Sequence, residues 1–365
     1  MSISRGSVNG WTSPNGVVID IQPFMSSGWK FTRLWMSEVV GGKIAEGEIS
    51  LQAVGDDKSM ELVTKTHYIT ISMKSPEGGV YYNSIKGFIT TRSWTQNALD
   101  IKFLCIPDHK FFSEPLITLQ TDPTDALKQL WGKENQDSLH IRCKSDINNE
   151  VSLQQLGESN YKICKKLALS FKKNSIFCFG LEGFMIKDIL GIDSQGREEP
   201  ADLILGDGQV NQTSGYNLNY NYKIYKQVEN PWENEEYSGK KQTRLVTAMT
   251  IDDEYYLVSP SHFGFLSNYV HNRNLMESRF YTSLTVVTPD ALPKFKIGDT
   301  VKYKRSTEKN TNPFMTYFVS KMTYFISTEG DKDENGLQFS VTSILRGIGD
   351  TGKELSQDES KFNNN

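Results

Sequence analysis

The chain has 365 residues, 37% of them hydrophobic and 11% aromatic, enough to build cores for two or three domains. Its formal charge of −4 excludes the strongly basic class that grips nucleic acid through a charged face. No run of about 18 apolar residues occurs, which excludes a conventional membrane-spanning helix, and the polar opening MSISRGSVNGWTSPNG lacks the apolar core of a secretory leader.

Residues 17–106 read as strand almost throughout. Strands are predicted over 17–21 and over the alternating run 67–73. Two longer ones, 81–91 and 99–106, flank a turn at Thr95, Gln96 and Asn97. Frequent Gly and Asn turns predict a small antiparallel barrel or sandwich over 1–107, closed at Pro107, because proline cannot continue a central strand.

Residues 108–200 read as a mixed α/β domain. Asp122 is placed to cap a helix, Pro123 suits its first position and Gly132 its end. Ala126, Leu127, Leu130 and Trp131 give that helix an apolar face, and a short strand follows over 139–143. A second helix is predicted over 159–172. Tyr161, Cys164, Leu167, Ala168 and Phe171 recur there at spacings of three and four, Ser159 can cap the start, and Lys172 and Lys173 suit the negative end. Two strands, 176–179 and 184–186, then pair about Leu181, Glu182 and Gly183 in a hairpin over 176–188. The polar, Gly-rich stretch 191–215 marks a boundary.

Residues 201–348 return to strand. The run 216–225 alternates strictly, so its tyrosines share one face. A charged loop is expected over 234–241, two apolar runs over 245–258 around Asp252, Asp253 and Glu254, and a helix over 263–281, which makes about 241–281 an inserted or partly helical segment. Strands over 283–287, 300–304, 314–327 and 337–345 complete the second barrel, the last pairing back across 330–336. The polar tail 349–365 is expected to be disordered.

None of the chemical motifs is complete. Gly347, Gly352 and Lys353 approximate a phosphate-binding loop, but Glu354 stands where its hydroxyl belongs and no apolar helix follows. Asp331, Asp333, Asn335 and Gly336 open like a calcium loop, yet Thr342 occupies the position of the bidentate Glu, and Asn-Gly favours a hairpin turn. His67, His109, His140, His262 and His271 lack metal-ligand spacing. Lys165, Lys166, Lys172 and Lys173 form one polar helix face. Cys105, Cys143, Cys164 and Cys178 lie far apart in apolar or amphipathic runs, which predicts buried free thiols in a reducing compartment and no zinc site. No catalytic, cofactor-binding or metal-binding residue is assigned, and no cofactor is expected.

Three stretches resemble the baseplate hub proteins of contractile-tailed bacteriophages, the T-even-type hubs related to secretion-spike and late-control hub proteins. Residues 45–52 (AEGEISLQ) are similar to the Gly-containing strand that opens the first barrel. Residues 158–168 (ESNYKICKKLA) and the hairpin after them resemble the helix-then-hairpin unit. Residues 295–301 (FKIGDTV) and 316–325 (TYFVSKMTYF) resemble the closing barrel strands. Asn160 and Tyr324 stand where Asp and His are common; Asn160 can cap or bond locally, and Tyr324 suits an outward position.

The resemblance implies a mainly β chain with an α+β part: two small antiparallel β-barrels flank the mixed helix-hairpin domain, and three subunits present six barrels in a ring. Tyr161, Cys164, Leu167, Phe171, Gly298 and Asp299 are the candidate fold or interface residues. Implied partners are two further copies of the chain in a homotrimer, the tail spike, the tail tube, baseplate wedge proteins and the tape measure protein. DNA would pass transiently through the lumen, with no stable membrane association. The implied role is structural: matching a threefold spike to a sixfold tube and initiating the tube, in a virion tail baseplate assembled in the host cytoplasm. Two alternatives are a tail-tip peptidoglycan-cleaving enzyme, which a zymogram on cell walls would reveal, and a glycan-binding receptor protein, which a glycan array would reveal.

Overall fold

The computed structural model describes residues 10–54, 60–76, 82–113, 118–147, 151–154, 159–189, 203–206, 215–220, 248–251, 254–257, 268–269, 272, 282–304 and 314–348. The first β region comprises β1 (Trp11–Thr12), β2 (Val18–Gln22), β3 (Trp29–Val39), β4 (Gly41–Ile44), β5 (Glu46–Ala53), β6 (Tyr68–Lys74), β7 (Tyr82–Trp94) and β8 (Ala98–Leu104), with helix α1 (Met60–Lys65) before β6. The mixed part contains β9 (Thr118–Thr121), α2 (Pro123–Trp131), β10 (Leu139–Ile141), β11 (Val151–Gln154), α3 (Asn160–Phe171), β12 (Ser175–Gly180) and β13 (Gly183–Asp188). The second β region comprises β14 (Leu203–Gly206), β15 (Gly215–Tyr220), β16 (Ala248–Ile251), β17 (Glu254–Leu257), β18 (Thr282–Pro289), β19 (Thr300–Lys304), β20 (Phe314–Ser327) and β21 (Phe339–Ile348).

Alternation drives the first region. Ile69, Ile71 and Met73 on β6 and Leu99, Ile101 and Phe103 on β8 point inward, all at most 1% exposed, while their neighbours face out. Among the described residues, the two β regions meet in one curled thirteen-stranded sheet, mainly antiparallel, with β3 beside β20. β20 is the shared element. Phe314 to Phe318 pair with β19, and Lys321 to Ser327 pair with β3, while β21 runs along the other side. The change of partner falls at a bulge between Val319 and Lys321, where Ser320 O accepts from Val40 N at 2.8 Å.

The chain leaves this sheet after β3, turns at Gly41 (φ 111°), and β4 joins a second, four-stranded sheet in the order β10-β13-β12-β4. That sheet carries α2 and α3 over an aromatic core in which Phe179 and Phe184 stack at 4.6 Å.

The local signals of the mixed part hold. Asp122 accepts from Thr124 N at 2.8 Å, Pro123 opens α2 and Gly132 (φ 107°) ends it. The acid-rich segment after β20 is the hairpin turn expected: Gly336 has φ 76°, and Asp333 Oδ1 accepts from the backbone of Asn335 and Leu337. β14 lies within 191–215, which the sequence reading treated only as a boundary; it runs parallel to β19. Tyr324 corrects an expectation. It is fully buried, because β20 turns Met322, Tyr324 and Ile326 inward together. Asn160 does not cap: Ser159 takes that role, and the Asn160 Oδ1 atom is buried without a partner among the described residues. The loop over 234–241, the tail 349–365 and most of the helix over 263–281 lie outside the described residues, as do Asp252, Asp253, Tyr222 and Tyr225.

Candidate functional site

The helix α3 and its hairpin form the centre against which both β regions are held. Ser159 Oγ accepts from Lys162 N, so the helix starts where the sequence places it. Cys164, Leu167, Ala168 and Phe171 are at most 1% exposed, and Tyr161, half-buried, donates its hydroxyl proton to Gly42 O on β4. Burial pushes the Cys164 thiol up, and that of Cys143 up to about 12; all four cysteines are free and buried.

The end of α3 is closed by side chains from distant segments. The last carbonyls of a helix have no partner within it. Here Asn272 Nδ2 donates to Leu169 O (2.8 Å) and Lys172 O, and its Oδ1 accepts from Ser175 N at 3.2 Å. Asn268 Nδ2 donates to Ser170 O at 3.3 Å, while Phe171 O accepts from Ser145 Oγ and Asp146 N. Lys172 pairs with buried Asp188 at 2.6 Å. Asn272→Leu removes this donor from the buried Leu169 carbonyl, and from the half-buried Lys172 carbonyl, which keeps its bonds from Ser175. It is expected to lower stability by about 1–3 kcal/mol, read as a shift in the urea midpoint with unchanged slope.

Gly298 and Asp299 sit where β20 changes partner. Gly298 N donates to Val319 O (2.9 Å), and Val319 N donates to Asp299 O (3.0 Å). The φ of +77° suits glycine, and a Cβ there would lie 2.3 Å from Met185 Cε of β13. Asp299 Oδ2 accepts from Lys296 N at 2.7 Å, closing the turn. These two residues join the second β region to the hairpin, as the helix-face residues join the hairpin to its own core.

A buried polar network that the sequence reading missed lies beside them. Glu38, on β3, is 2% exposed. Its Oε2 accepts from Leu181 N in the hairpin turn (3.0 Å), and its Oε1 accepts from the Tyr324 hydroxyl (3.1 Å). Tyr324 is bonded in turn to the Tyr82 hydroxyl of β7 at 2.5 Å. Lys296 grips Glu182 of the same turn through both carboxylate oxygens (2.7 Å each) and lies 4.7 Å over the Tyr82 ring. Burial raises Glu38 to about 7 against the pull of its two hydrogen bonds, and pushes both tyrosines well above their usual range. The available signal was a lone acid in the apolar run LWMSEVV.

A cleft of about 470 Å³ opens alongside, walled by Lys86, Trp131, Asp137, His140, Arg142 and Glu182. Its charges are mixed in sign. Among the described residues no three metal-binding side chains gather, and no helix is long and apolar enough to cross a membrane. One turn, 180–183, is held between β3 of the first β region and the segment before β19 of the second, through Leu181 N to Glu38 and Glu182 to Lys296.

No protein-family model matches the chain, and no curated protein matches its sequence. The fold does have solved counterparts. A tail protein from Neisseria meningitidis MC58 superposes with a TM-score of 0.54 at 10% identity, over 92% of this chain and 97% of that one. A component of the Escherichia coli type VI secretion system, itself described as structurally similar to the T4 bacteriophage tail proteins gp27 and gp5, superposes with a TM-score of 0.55 at 12% identity, over 91% of this chain and 77% of that one. The chain therefore shares its fold with that tail protein and that type VI secretion component.

Proposed function

We propose that this chain is a structural hub of a contractile phage tail or a related injection machine, and that it works without catalysis. The observation that carries the reading is the end-to-end match to the Neisseria tail protein, which leaves little of either chain outside the common fold. The proposal divides the chain into barrel domains at 1–107 and 201–348 around the mixed domain 108–200. Three copies would close a ring of six barrels, presenting threefold symmetry to a spike and near-sixfold symmetry to a tube. In the baseplate, the spike, tube, wedge and tape measure proteins would be its partners, and DNA would cross the lumen without tight contact.

Its mechanism is repeated burial of interface. A permanent ring needs subunit contacts of roughly 2,000 Å² or more, apolar at their centres. The segments 81–106 and 283–327 are the surfaces proposed for these contacts. The junction supports the reading physically, because a hub must hold its two β regions at a fixed angle, and the clamped turn 180–183 ties them together. Negative-stain electron microscopy of the purified chain tests it. Threefold rings with six lobes are expected; single asymmetric particles at all concentrations would overturn the ring.

A further inference from the structure

The junction contains an acid that the assembly role leaves unexplained. The cations near Glu38 are directed elsewhere: Lys296 pairs with Glu182, and Lys187 lies 3.9 Å from Asp299. Among the described residues no cation stands within ion-pair distance of Glu38. The titratable groups around it come from every packed element: Tyr324 on β20, Tyr82 on β7, Cys178 on β12, Cys105 after β8, Glu182 in the turn, and Lys296 and Asp299 before β19. His140 and Arg142, at β10, line the small void of about 40 Å³ that touches Glu38.

We infer that the seat of the 180–183 turn is a proton-operated joint, held tightly while Glu38 carries a proton and loosened from the sheet junction as Glu38 ionises. An unmatched carboxylate in a buried site is disfavoured, and opening the turn is the shortest way to hydrate it. The turn is the movable part, since Glu38 itself lies within β3 and pairs with Met322 of β20. The large cleft and the void against Glu38 are neighbours: His140, Arg142, Glu182 and Gly183 line both. The hydrogen bonds from Leu181 and Tyr324 favour the charged form and oppose the release, which places the balance near neutrality.

The sign follows from linkage. The Glu38 carboxyl is raised from 4.5 to about 7 when folded, so its contribution is complete below the lower value and is lost as pH rises through the upper one. Hydrogen exchange of peptides covering 176–189, corrected for the intrinsic pH dependence of exchange, reads the joint directly. Between about pH 6 and pH 8.5 the protection of the turn amides is expected to fall about tenfold in the native chain, and to stay level in Glu38→Gln. Level protection in the native chain, or the same fall in Glu38→Gln, would overturn the joint. Tyr324→Phe keeps the acid but removes a hydroxyl that favours its charged form, so the midpoint of release should move to higher pH. An unmoved midpoint there counts equally against it, even if Glu38→Gln fails to fold.

Discussion

Leu167→Asp is expected to give no soluble folded protein. Leu167 is 1% exposed on the inner face of α3, in the core that contains Phe171, Phe177, Phe179 and Phe184. An aspartate there must either bury an unpaired charge or take up a proton at a cost of several kcal/mol, and the lost leucine contacts add about 2–5 kcal/mol. Together these approach the whole stability of an ordinary domain, about 5–15 kcal/mol. Leu167→Met, which keeps volume and polarity close, should cost less than about 1.5 kcal/mol. Circular dichroism and thermal melting of the two variants separate loss of fold from loss of yield; a folded Leu167→Asp protein melting like its parent would refute the assignment of this helix face.

The second large effect comes from a single methyl group. Gly183 has φ +120°, and a Cβ built on it would stand 2.0 Å from the backbone oxygen of Ser138. That oxygen cannot withdraw easily. Ser138 is held by Trp131 Nε1 (3.0 Å) and by its own bond to Asn135 O (2.8 Å), and the next residues pair in register with β13, Leu139 against Phe184. Gly183→Ala is therefore expected to destabilise by about 3 kcal/mol or more, through strain and forced separation of β10 from β13. Gly336 provides the comparison. Its φ is also positive, at +76°, but nothing lies within 4 Å of the added carbon. Gly336→Ala should then cost only about 1–2 kcal/mol, the backbone penalty alone. Equal urea midpoints for the two alanine variants would contradict the close approach at Gly183.

What was legible in the sequence was local. The cap at Asp122, the cap at Ser159, the apolar face of α3 and the Asn335-Gly336 turn each depend on residues within a few positions of one another, and each stands where it was read. The pairing of β3 with β20 is different in kind. Glu38 and Tyr324 are 286 residues apart, and neither strand carries a mark of which partner it will take. Two β regions were therefore visible, while their fusion through β20 was not. The sequence makes Tyr324 compatible with an outward position. Its burial depends on Tyr82 and Glu38 supplying partners from two other strands, which periodicity cannot reveal. The same applies to Asn268 and Asn272: their side chains close a helix about a hundred residues earlier in the chain.

The candidate site divides along the same line. Cys164, Leu167 and Phe171 followed from helical spacing, and Gly298 with Asp299 from likeness to closing barrel strands. Glu38, Glu182 and Lys296, which clamp the turn to the junction, emerge only when three separate segments are folded together.

Assembly as a threefold hub is open to native mass spectrometry of the purified protein, alone and with a co-expressed candidate spike. A trimer is expected, or a complex of three chains with three spike subunits. A monomer in both samples would contradict it, and would reduce the likeness to tail proteins to a shared fold without the shared assembly.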